Sequence, residues 1–272
     1  MPAHHAISPD TLARLVALPG APAILDLRDD PAATVPGARV VGATTRPTVP
    51  NGRAVVVVDE AGGATAVTAV ALLRSDGVRA ERLEGGFAAW AAAGLPAMAL
   101  AHLPRRHDDG RTWWVTRARP KVDRIACPWL IRRFIDPDAR FLYVAPAEVL
   151  AVAARERAEP FDVEGEGVVW THRGERCSFD ALLDGFGLAG HAPLARLAAI
   201  VRGADTDRLD LAPEAAGLLA VSLGLSRLYD DDHAQLEAGL TLYDALYRWC
   251  RDARGERHDA RSHRPARAAV TA

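Results

Sequence analysis

Two short apolar runs, AILDL at 23–27 and AVVVVD at 54–59, constrain the first half of this chain more than any other feature. Four valines in a row leave no polar face for water, so such a run is a strand buried on both sides. Each is joined to the next strand through a stretch with helical spacing. After Gly62-Gly63, ATAVTAVALLRSDG reads as a helix closed by Gly77, RAERL (79–83) as a strand, and FAAWAAAG as a helix closed by Gly94. Ahead of them, Ser8 caps a short helix in SPDTLARLVAL. Strands alternating with helices of this length predict an α/β domain over 1–100, a mainly parallel sheet with helices on both faces.

Residues 97–111 lose this periodicity and gather Pro104, Arg105-Arg106 and Asp108-Asp109-Gly110, so 101–111 reads as a linker. Past it lies RTWWVTRARPKVDRIACPWLIRRFID (111–136), with seven basic residues against two aspartates in a chain whose formal net charge is −2. A solvated basic face has no need of Trp113, Trp114, Cys127 and Trp129 among its charges. TWWVTR reads as a strand. Pro128 is favoured at the first position of a helix and disfavoured inside one, which predicts a helix beginning at Pro128 with Cys127 at its N-cap. There the dipole and Arg124 would favour a thiolate, making Cys127 a candidate catalytic residue; the plain alternative is a small buried hydrophobe. Arg117, Lys121, Arg124 and Arg132 are the candidate oxyanion ligands, since guanidinium forks at a helix start suit a tetrahedral dianion.

The remainder to about residue 250 predicts an α+β, mostly helical domain, with apolar spacings of three and four along LARLAAIVRGADTD, EAAGLLAVSLGLSRLY and DDHAQLEAGLTLYDALYRWCRD. Asp162, His172 and Cys177 fall within sixteen residues and form a candidate metal set for zinc or iron. Asp205 and His233, in acid clusters at helix ends, are weaker candidates, because aspartates there are first of all caps. In the alternative, Ser178 caps a helix and His172 sits exposed on a hairpin. Tyr243, Asp244 and Tyr247 share one helix face that can reach the basic stretch. The Arg-rich segment 251–272 reads as a disordered tail.

Three cysteines are too few for a disulfide framework. No apolar run reaches the roughly 20 residues of a bilayer span, and MPAHHAISPD has no signal-peptide pattern. A cytoplasmic protein without membrane insertion is expected. The near-neutral charge argues against general nucleic-acid binding.

The motifs Asp26-Leu27-Arg28, Val35-Pro36-Gly37-Ala38 and Leu83-Glu84-Gly85-Gly86-Phe87, followed by Trp90 and Gly94-Leu95-Pro96, resemble a single rhodanese domain. That family's catalytic cysteine opens the loop after the central strand. Here the loop is Asp59, Glu60, Ala61, Gly62, Gly63, Ala64, and a carboxylate cannot carry a persulfide. A non-catalytic module is expected, with Asp26 and Arg28 as a structural ion pair and a surface for a protein partner. The run Val122-Asp123-Arg124-Ile125-Ala126-Cys127-Pro128-Trp129-Leu130-Ile131 resembles the C-terminal domain of ChrB-type chromate-resistance proteins. So do Trp114-Val115-Thr116-Arg117, Pro160-Phe161-Asp162, His172, Cys177-Ser178-Phe179-Asp180, Ile200 to Asp205 and Tyr243 to Tyr247. The resemblance implies chromate resistance; the DNA-binding N-terminal domain of regulatory members is replaced here. The expectation is an accessory protein binding or sensing chromate, a similar oxyanion or a metal ion through its second domain. A metal-dependent enzyme acting on a small thiol or oxyanion is the alternative, and a docking protein using the rhodanese-like module is a third.

Overall fold

The computed structural model describes residues 5–43 and 52–256; residues 257–272, most of the expected tail, lie outside them. In the first half the chain runs β1 (Ala6–Ile7), α1 (Pro9–Leu15), β2 (Ala23–Asp26), β3 (Ala33–Thr34), β4 (Ala38–Val40), β5 (Val55–Val58), α2 (Ala64–Ser75), β6 (Ala80–Leu83), α3 (Gly86–Ala92) and β7 (Met98–Ala99). Five strands form one sheet in the order β1-β6-β5-β2-β4, all parallel, with Val55–Val58 of β5 registered against Ala23–Asp26 of β2. All four valines are buried, as the run requires. The Ser8 hydroxyl accepts from the Thr11 N–H and caps α1. Asp26 is buried and takes hydrogen bonds from the Arg28 guanidinium at 2.6 to 3.2 Å, from the Arg28 N–H at 3.0 Å and from the Thr34 hydroxyl at 2.6 Å. Arg28 also lies over the Phe87 ring. The pair therefore pins the end of β2.

The second half places β8 (Trp113–Arg117) between β9 (Arg140–Val144) and β10 (Glu159–Pro160) in a parallel three-stranded sheet. Around it lie α4 (Asp123–Leu130), α5 (Val149–Glu156), α6 (Ser178–Gly185), α7 (Ala192–Asp205), α8 (Ala215–Leu228) and α9 (Asp232–Arg248). A π-helical turn at Trp249–Ala253 carries the last helix beyond residue 250. The two halves share one core, in which Leu12, Val16, Trp90 and Met98 pack with Trp129, Phe134 and Phe186. The expected linker is tied down within this unit. Arg106 pairs with buried Asp136 at 2.9 Å, and His107 Nε2 lies 3.2 Å from the Arg157 carbonyl.

One helix start differs from expectation. α4 begins at Asp123, five residues before Pro128, which sits inside it. Cys127 is thus a mid-helix residue, fully buried, and no N-cap. Proline cannot donate to the carbonyl four residues back, and that carbonyl, Arg124, instead accepts from the Tyr143 hydroxyl at 3.3 Å. The cost of an interior proline is thereby reduced by a side chain remote in sequence. Asp244 on α9 reaches back to the same region. It accepts from the Trp129 indole at 2.9 Å and from two Arg133 nitrogens at 2.8 and 2.9 Å.

Tyr143→Phe should lower unfolding stability by about 1 kcal/mol, the net value of a hydrogen bond. In a Pro128→Ala background that loss should shrink, because the backbone then supplies its own donor. Urea unfolding of the four proteins checks both statements.

Candidate metal centre

Four side chains from separate segments meet beneath the surface of the second half. Asp123 opens α4 directly after Val122, whose φ of 29° is a strained conformation for a β-branched residue. The Val122 carbonyl is held by the Tyr243 hydroxyl at 2.9 Å. Asp162 follows β10 with φ of 50°, and its N–H donates to the Trp170 carbonyl. His172 lies on the segment between Trp170 and α6, and Asp205 is the last residue of α7. His172 Nε2 is 3.1 Å from Asp205 Oδ2, 3.4 Å from Asp162 Oδ1 and 3.7 Å from Asp123 Oδ2. One ligand atom each from Asp123, Asp162 and His172 fall within 4.8 Å of one another.

Each carboxylate is oriented from behind. Asp123, 1% exposed, accepts from the Ser178 N–H at 2.7 Å and the Phe179 N–H at 3.1 Å. It caps α6 from another part of the chain. The Cys127 thiol donates to its Oδ1 at 3.4 Å. Asp162 Oδ2 takes Arg117 at 2.8 Å and Arg124 at 3.2 Å, and its Oδ1 accepts from the Ser178 hydroxyl at 3.1 Å. Asp205 Oδ1 accepts from the Asp123 N–H at 3.4 Å. His172, with 41% of its side chain exposed, is the open side of the group.

The electrostatics follow from this crowding. Burial pushes the Asp123 carboxyl well up, and the charges of Asp205 and Asp162 push it further. Asp205 is raised by burial and by Asp162. Burial would raise Asp162 too, but hydrogen bonds from His172 and Arg117 and the charges of Arg117 and Arg124 hold it below the usual carboxylate range. His172 is the counterpart. Its hydrogen bond to Asp162, against the opposing effect of burial and aided by the charges of Asp123 and Asp205, raises it to about 9. A proton on His172 is the cation these acids select when no other is at hand.

The residues singled out from sequence fall into three groups. Asp162, His172 and Asp205 come together. Cys177 does not join them: it is the N-cap of α6, its N–H and thiol facing Asp180 Oδ2 at 3.1 and 3.5 Å, and burial holds the thiol far above its ordinary value. His233 is exposed, edge-on to Tyr143. Of the oxyanion candidates, Arg117 and Arg124 converge on Asp162, whereas Arg132 pairs with Glu237 at 2.5 Å and Lys121 is exposed. The Cys127 thiol is buried and raised by burial and by Asp123, the reverse of an activated thiolate. Asp123 was readable only as a counter-charge of the basic stretch. It caps a helix 55 residues away.

The loop at 59–64 is closed on itself. Asp59 accepts from the N–H groups of Gly62 at 2.5 Å, Gly63 at 3.1 Å and Ala66 at 3.1 Å. Its carboxylate occupies the anion cradle that successive backbone N–H groups make. Glu60 pairs with Arg28 at 3.5 Å.

The family model described as ChrB, C-terminal domain, matches residues 114–250, half of the chain. Protein ChrB of Cupriavidus metallidurans is 40% identical over 158 residues, 57% of this chain and 46% of that protein. The match thus spans under half the length of that relative. Among solved structures, a rhodanese-related protein from Thermoplasma volcanium is 18% identical over 35% of this chain and 97% of its own, with a TM-score of 0.31. A protein from Lactobacillus plantarum is 30% identical over 34% of this chain and 87% of its own, also with a TM-score of 0.31.

The His172 proton predicts a pH dependence for the chelator-treated protein. A group raised from 6.5 to about 9 on folding contributes stability that is complete below pH 6.5 and lost as pH rises through 9. Thermal unfolding across that window should show the melting temperature falling, and His172→Gln should flatten the fall.

Proposed function

We propose that this chain, which belongs to the ChrB C-terminal domain family, is a chromate-resistance protein whose second half binds a divalent transition-metal ion through Asp123, Asp162 and His172, with Asp205 beside them. The observation that carries this reading is the convergence of three carboxylates and one imidazole from four segments, with every carboxylate already oriented by a second partner. Metal ligands are held in this way, and outer partners of this kind set ligand orientation and basicity. Two or three oxygen donors with one imidazole suit a borderline ion such as zinc or iron(II) better than a site of thiolates or of oxygens alone. A divalent ion would take the place of the His172 proton. The half-exposed imidazole leaves one side for water or an incoming ligand, the feature that separates working zinc sites from structural ones.

The oxyanion reading is best supported at the same place. Arg117 is partly exposed, with 38% of its side chain open, and its Nε is buried without a hydrogen-bond partner among the described residues. A chromate ion bound at the metal would lie beside the exposed part of this guanidinium, which holds Asp162 at 2.8 Å. The chemistry of a tetrahedral dianion is shared by sulfate and phosphate, so the metal and not the arginine would supply selectivity. No helix among the described residues is long and apolar enough to cross a membrane. A cytoplasmic location remains part of this reading, as does a protein partner for the rhodanese-like half.

Calorimetric titration of the chelator-treated protein with zinc or iron(II) should give one site per chain. Asp162→Ala and His172→Ala should each weaken it by about tenfold to a hundredfold or more, and Cys177→Ala should leave it unchanged. Affinity should rise with pH up to about 9 as the His172 proton leaves. Equal affinity in the wild type and both ligand variants would refute the site. Chromate binding that requires the metal and weakens in Arg117→Ala would support the oxyanion reading; binding unaffected by either change would remove it.

A further inference from the structure

The helix α8 is amphipathic in the wrong sense for a monomer. Its inner face buries Ala215, Leu218, Ser222 and Ser226, and the buried Ser222 hydroxyl has no hydrogen-bond partner among the described residues. Its outer face carries Gly217, Val221, Gly224 and Leu228, all exposed, with Leu228 73% open to solvent. Ala216, Ala220 and Leu223 lie exposed beside them. Between Glu214 and Arg227 the helix has no charged residue. Serines inward and leucine outward invert the usual arrangement, in which the apolar stripe faces the core. A contiguous apolar patch of this kind marks an interaction surface.

The glycines say what covers it. Gly in a helix interior is unfavourable relative to Ala, and a Cβ added at Gly217 or Gly224 would meet no atom within 4 Å. Nothing among the described residues of this chain requires either to be glycine. Along the outer stripe, small and large alternate at spacings of four, three and four: Gly217, Val221, Gly224, Leu228. Reversed, the same stripe reads large, small, large, small. Two copies packed antiparallel, about a point between Ser222 and Leu223, set Leu228 over the partner subunit's Gly217 and Val221 over the partner subunit's Gly224. Each knob then meets a notch, and the overlap extends over about 16 Å of helix. A parallel pair would set glycine against glycine and leucine against leucine, leaving gaps and clashes.

We propose that this protein forms a twofold dimer through antiparallel packing of α8 against α8 of a second copy. Such an interface is isologous, the same patch serving both subunits. It lies on a different helix from the metal ligands and does not depend on the metal reading.

Sedimentation equilibrium of the full chain over a range of concentrations tests this, with circular dichroism confirming that each variant is folded. The wild type should sediment at twice the chain mass. Gly224→Val sets valine against valine and should weaken the dimer about tenfold or more. Val221→Gly combined with Gly224→Val exchanges knob and notch in both copies and should restore association. Val221→Glu should give a monomer. A wild type that stays monomeric up to its solubility limit overturns the proposal. So does a dimer indifferent to Val221→Glu, or a double exchange that associates no better than Gly224→Val alone.

Discussion

The second half of the molecule depends on a carboxylate that water does not reach. Removing an ion from water costs several kcal/mol, so Asp123 can be buried only because its oxygens are met by the first two N–H groups of α6 and by the Cys127 thiol. That requirement fixes α4 against α6, and the Asp123 N–H, donating to Asp205, brings in the end of α7. The cap and the candidate ligand are the same group. A carboxylate used only to cap a helix would sit on that helix's own N-terminal residue, at the surface. Here it comes from elsewhere and shares its space with two further acids and an imidazole, an arrangement that costs stability unless a cation completes it.

The basic stretch serves this design. Arg117 and Arg124 hold Asp162 from one side, so that its charge persists despite burial. Arg133 and Trp129 are both anchored to Asp244, which locks α9 behind α4. Of the seven basic residues in that stretch, Arg117, Arg124 and Arg133 are held by aspartates and Arg132 by Glu237, acids brought in by the fold. In the first half the same economy appears in the loop at Asp59, where the chain supplies its own anion to a cradle of backbone donors.

How much of this could be read from the sequence follows from the range of the interactions. The strands of the first half were legible because four consecutive valines admit one environment, and the helices because glycines close them. The Asp26–Arg28 pair was legible as a structural contact because it is local. α4 was misplaced because the rule for Pro128 assumes that no remote donor serves the Arg124 carbonyl, and Tyr143 does. Asp162 and His172 could be grouped because they lie ten residues apart. Cys177 was grouped with them by the same proximity, although the start of α6 turns its thiol toward Asp180. Asp123 was passed over as a candidate ligand because it reads as a counter-charge within the basic stretch, and only the fold shows that it caps α6 beside Asp162 and His172.

The central claim is that Asp123, Asp162 and His172 hold one metal ion. The most direct measurement is anomalous X-ray scattering from crystals grown with zinc, recorded above and below its absorption edge. The account predicts a single strong peak about 2.0–2.2 Å from His172 Nε2 and from oxygens of Asp123 and Asp162. A map with no peak there, or with its peak on other residues such as Cys177, would contradict it.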